Sequence, residues 1–158
     1  TRMEECVIAV DSDLFDNLSM QLLLGSVIAS AAMRKWKHLA FCFTLFSFYF
    51  LSFLLDCPIK AYDPGEVWRY FYWSLIDIVY LGALFFLVAR NKAPLYALIT
   101  SAVLEAIAIF CHIFRAIDIK LTDAAITNIF YSEVIAFTNA GFITLAVLPL
   151  LCAIVKRN

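Results

Sequence analysis

Residues 95–114 read LYALITSAVLEAIAIFCHIF. The stretch carries one acid, Glu105, one histidine, His112, and no basic side chain. A helix rises about 1.5 Å per residue, so it measures about 30 Å, the thickness of a bilayer's hydrocarbon core. Stretches of similar character occupy about 14–33, 39–55, 67–89 and 125–155. The first is the least apolar, with Asp16, Asn17 and Gln21 in its opening turns. The expected fold class is all-α: a polytopic transmembrane helical bundle of five spans, forming a single integral membrane domain over 1–158. Composition agrees. The chain is 64% hydrophobic with a mean hydropathy of +0.88, whereas a soluble domain lies near about 45–50% apolar. Its apolar residues fall in long runs, which suits burial in lipid better than one oversized core.

The segments between spans set an orientation. RKWKH (34–38) and RNKAP (90–94) are basic, and the chain ends in KRN. DCPIKAYDPGE (56–66) and RAIDIKLTD (115–123) are mixed and polar, and the prolines and glycine of the former predict a loop. Five spans place both basic turns and the C-terminus on one side. That side holds seven Lys/Arg and no acid, against five Lys/Arg and ten of the thirteen acids opposite. The bias in basic residues puts the first side in the cytoplasm, hence N-terminus outside and C-terminus inside, in a plasma or inner membrane. Trp36, Trp68, Tyr70, Tyr72 and Trp73 fall near predicted boundaries, as interfacial aromatics do. The acidic opening, TRMEECVIAVDSD, lacks the basic start of a signal peptide, and none is expected.

Three acids lie inside spans, each on a different helix: Asp77, Glu105 and Glu133. An unpaired charge at mid-bilayer costs at least about 2.5–3.5 kcal/mol on insertion scales. These residues are therefore expected to face one another, a partner or water. Spacing supports that. Ser101, Glu105, Ala108, His112 and Arg115 form one stripe at helical period. Tyr70, Ser74 and Asp77 form another, and Asn128, Ser132 and Asn139 a third, with Glu133 beside it. The third, fourth and fifth spans are thus expected to converge on a polar cavity in the outer half of the membrane. Its candidate residues are Asp77, Glu105, Glu133, His112, Ser101, Ser74 and Asn139.

Two readings of that cluster stand. Facing carboxylates at low dielectric cannot all ionise, which suits a cation or proton site, with His112 continuing a path outward. Alternatively the acids hydrogen-bond hydroxyls as glue between helices, and Arg115 snorkels to the headgroups. Small-residue pairs at a spacing of four, Gly25 with Ala29, Ala102 with Ala106 and Ala136 with Ala140, are expected at helix contacts. The second span holds six Phe and no charge and is expected to face lipid. Cys6 and Cys57 share the outer side, where an oxidising environment permits a disulfide.

No phosphate-cradling loop, nucleophile elbow, CxxC or HExxH pattern is present, so no catalytic residue, metal or cofactor is expected. Topology accounts for the basic turns, leaving no nucleic-acid surface. The expected partners are the lipid bilayer and either further copies of the chain or a larger membrane protein. The expected function is that of an interaction or accessory subunit of a membrane complex. The alternative is an oligomeric cation or proton channel or transporter using the intramembrane carboxylates. An intramembrane enzyme comes third, because no motif names a reaction.

Overall fold

The computed structural model of the chain describes residues 18–63, 67–121 and 126–156. They form five helices and no strand: α1 (Leu18–Ala32), α2 (Trp36–Tyr62), α3 (Trp68–Ala89), α4 (Leu95–Leu121) and α5 (Ile126–Val155). The last four are long and apolar enough to cross a membrane. α1 has 15 residues, about 22 Å of helix, shorter than the hydrocarbon core. Positions 14–17 of the first expected span lie outside the described residues.

Each helix packs on the next in sequence, and α1 returns to α5, so the five close into a ring. Short turns enforce this antiparallel order. The turns after α1 and α3 use one device. Arg34 and Asn91 adopt left-handed backbone, with φ of 55° and 57°. Lys35 N–H donates to Ser30 O and Lys92 N–H to Leu87 O, so each helix ends in a Schellman cap. Asparagine tolerates that conformation well; arginine adopts it less readily.

The basic segments gather at one end of the bundle. Lys37 Nζ donates to Asn91 Oδ1 across the two turns, and Lys35 Nζ donates to Pro149 O near the end of α5 at 3.4 Å. The outward faces are apolar. Phe43, Ile78, Phe85, Val103, Phe110 and Phe137 all stand exposed on different turns. Water would not tolerate apolar surface on that scale, whereas lipid does.

Inside, Leu23, Phe41, Leu45, Leu84, Ala97 and Ala146 form a core towards the basic end. A thinner layer of Val67, Tyr70 and Ala116 closes the other end. Lipid is as apolar as leucine, so close fit rather than water exclusion holds such helices together. Gly141 shows the fit: a Cβ there would lie 2.9 Å from Leu104 Cδ2.

Several sequence expectations change. α2 does not stop at Leu55 but runs through Pro58 to Tyr62. Pro58 lies in the final turns, where losing one backbone bond costs little, and Lys60 pairs with Asp56 at 2.6 Å one turn away. Asp63 then closes α2 and accepts from Arg69 N–H at 2.8 Å, satisfying a donor at the start of α3. α4 likewise continues past Phe114 to Leu121. There Arg115 pairs with Asp118 at 3.2 Å and both bond Thr127 of α5. The helices outlast their apolar runs because polar side chains at the ends pair with one another. Arg115 is thereby held within the bundle rather than extended to headgroups.

The anticipated small-residue pairs do not carry the contacts within the chain. Gly25 faces open space, Ala106, Ala136 and Ala140 are exposed, and Ala29 and Ala102 are half-buried. Polarity decides the rotation. Ser26 and Ser30 on α1, Ser101 and Glu105 on α4, and Thr138 on α5 turn inward, which swings the adjacent small pairs out.

Candidate functional site

A cavity of about 190 Å³ lies between α2, α3, α4 and α5 near mid-helix. α4 supplies Glu105, Ala108 and His112, at helical spacings of three and four. α3 supplies Trp73, Ile76, Asp77 and Tyr80; α5 supplies Thr138, Asn139 and Phe142. α2 supplies Leu45, Phe48, Tyr49 and Ser52. The Phe-rich second helix is therefore a wall of the site and not only a lipid-facing element. Its inward face runs His38, Phe41, Cys42 and Leu45, then Tyr49 and Ser52, while Phe43 and Leu51 face out. Apolar and aromatic side chains on both faces hide that periodicity from a hydropathy reading.

Glu105 is 6% exposed. It lines the cavity and makes no hydrogen bond or ion pair with any described residue. Asp77 Oδ2 is buried without a hydrogen bond and lies 3.5 Å from His112 Nε2. His112 Nδ1 lies 2.9 Å from the Tyr131 hydroxyl. With Nδ1 accepting from Tyr131, the proton sits on Nε2, on the Asp77 side but without forming a hydrogen bond to it. Tyr131 meets Tyr70 edge-on at 5.2 Å, and the two rings roof the site towards the end opposite the basic turns. The cavity lining contains no Lys or Arg.

The neighbouring hydroxyls are already engaged. Tyr49 donates to Asn139 Oδ1 at 2.6 Å, and Tyr80 shares a 3.1 Å bond with Ser101. Ser74 donates to Tyr70 O, and Thr138 to Ile135 O. Phe48 and Phe142 grip the Tyr80 ring edge-on, at 5.5 and 5.9 Å. Towards the basic end, Leu45 and Phe142 adjoin Phe41, Leu84, Ala97 and Ala146. This apolar layer lies between the cavity and the basic end.

The structure thus brings Asp77, Glu105, His112 and Asn139 onto one cavity. Ser101 stands behind Tyr80, and Ser74 is buried one turn from Asp77. Glu133 does not join them: it is exposed on α5. Six residues separate it from Asn139, which puts the two about 120° apart around the helix. Asn128 and Ser132 are exposed as well. Cys57 is disulfide-bonded; Cys6 lies outside the described residues.

Sequence reasoning missed Tyr49, Tyr80, Trp73 and Tyr131. A usable signal existed for Tyr80, three residues beyond Asp77 on the same stripe. Trp73 reads as an interfacial aromatic until its neighbours are known. His38 was also missed. It reads as part of a basic turn, yet its Nε2 lies 2.8 Å from Ala146 O and its Nδ1 3.1 Å from the Tyr96 hydroxyl. It ties α2 to α4 and α5 at the basic end. Set against known protein families, characterised proteins and solved structures, the chain matches none of them.

Proposed function

We propose that the chain binds a proton or small cation at Asp77 and Glu105 within the membrane and moves it as a transporter or as part of one. One observation carries this reading: Glu105 is buried, lacks a hydrogen-bonding or ionic partner, and faces a cavity shared with Asp77. A carboxyl in that position is costly, and such residues in membrane helices commonly mark ion or proton pathways. His112 and Tyr131 extend a line of exchangeable protons from Asp77 towards the roof. The apolar layer on the basic side favours a binding site that opens by rearrangement over a continuous pore. With the basic end in the cytoplasm of a plasma or inner membrane, the roof faces outward. The test is proton and cation flux into proteoliposomes for wild type and Glu105→Gln. Flux that falls at least tenfold in a folded variant supports the reading; equal flux refutes it.

A second reading is an accessory subunit of a membrane complex. It is favoured by the small residues left on outward faces, Gly25, Ala106, Ala136 and Ala140. Such faces allow close approach of another helix. Crosslinking in native membranes tests it: Gly25→Leu is expected to abolish an adduct that wild type forms.

A further inference from the structure

We infer that the ligand of this cavity is a small organic ammonium ion, with an apolar body among the aromatic walls and its N–H groups on Glu105 and Asp77. This rests on the cation reading above and narrows it. The charge of the ligand follows from the lining. Two carboxylates and no Lys or Arg face the space, so an anion is disfavoured. A neutral apolar guest would leave Glu105 and the buried, unbonded Asp77 Oδ2 without a donor.

Its chemical class follows from the walls. Among the described residues, no three His, Cys, Asp or Glu side chains are grouped to hold a metal ion. A proton alone needs no volume. The space instead is bounded by Phe48, Tyr49, Trp73, Tyr80 and Phe142. Aromatic faces attract ammonium groups, tryptophan most strongly, and bury hydrocarbon equally well. The hydroxyls of Tyr49 and Tyr80 are already bonded to Asn139 and Ser101, which leaves the carboxylates as the acceptors waiting for donors. Size agrees: a cavity of about 150 Å³ admits benzene, and this one measures about 190 Å³. A benzylammonium-sized guest matches both the space and the charge.

The experiment is equilibrium dialysis of labelled benzylammonium against the purified full chain in nanodiscs, with benzyl alcohol as the neutral isostere. Proton flux is measured on the same preparations. The expected result is saturable binding of the ammonium, at least tenfold tighter than the alcohol. Binding should fall at least tenfold in Glu105→Gln and persist, weakened, in Glu105→Asp. Trp73→Leu should weaken it by about 2- to 30-fold, a readout that does not depend on Glu105→Gln folding. Equal binding of alcohol and ammonium overturns the inference. So does Glu105-dependent proton flux without any ammonium binding, which leaves the proton reading standing. Ammonium binding without flux has the opposite meaning: the ligand class holds and transport fails.

Discussion

Replacing Glu105 with methionine should make the protein more stable. Glu105 is 6% exposed as a residue and makes no hydrogen bond or ion pair with the described residues. Leaving a buried polar group unpaired costs about 1–3 kcal/mol, and an ionised acid at mid-membrane costs at least about 2.5–3.5 kcal/mol on insertion scales. Methionine is unbranched, of similar length, and adapts to irregular gaps. It would remove that cost while still contacting Ala108 and the aromatic walls. The expected gain is therefore about 1–3 kcal/mol, or about 5- to 150-fold in the folded-to-unfolded ratio. Reversible unfolding by SDS in mixed micelles, followed by circular dichroism, measures it. Flux or ligand binding should vanish in the same variant, as expected where a site trades stability for activity. A loss of more than about 1 kcal/mol would refute the reasoning, because it would mean that Glu105 holds the helices together.

Three further outcomes follow from the packing. Tyr80→Phe and Ser101→Ala should each destabilise, and their double-mutant cycle should return a coupling of about 0.6 kcal/mol, the average for hydrogen bonds between membrane helices, and no more than about 1.7 kcal/mol; a coupling near zero would remove that bond from the account. Gly141→Ala should cost about 1–3 kcal/mol because its new methyl group meets Leu104, whereas Gly25→Ala, which faces open space, should be neutral or gain up to about 1 kcal/mol from helix propensity; SDS unfolding of the pair checks the contrast. Cys152 is exposed near the basic end while Cys42 and Cys111 are buried. In inside-out vesicles a membrane-impermeant maleimide should label Cys152 and leave the other two untouched, and labelling only in right-side-out vesicles would reverse the orientation.

Much of the site was legible on α4 because contrast was high there. Ser101, Glu105 and His112 interrupt an otherwise apolar run at helical spacing, and lipid forbids them from facing out. The same logic failed for Glu133. It sits about two turns from the start of α5, where a side chain can reach the polar boundary, so burial was not obligatory. It failed for α2 in the other direction: with Phe on every face, hydropathy does not distinguish the side bearing Tyr49. Helix ends were misjudged for a related reason. Hydropathy marks where lipid ends, but the backbone bonds that define a helix continue as long as polar side chains such as Arg115, Asp118 and Thr127 satisfy one another.

Membrane residence, the number of apolar segments and the ends that carry positive charge are all legible in the amino-acid sequence. Those properties follow from composition and spacing along one dimension, since the cost of placing each residue in lipid is nearly independent of its neighbours. The ring of helices, the completion of the cavity by α2, and an unpartnered Glu105 beside matched Tyr49, Tyr80 and Ser101 arise only when the helices pack. Those outcomes depend on how each helix is rotated against the next. That rotation follows from which polar side chains turn inward and from contacts among residues far apart in the chain, such as the fit of Gly141 beneath Leu104 and the hydrogen bond of His38 to Ala146 O.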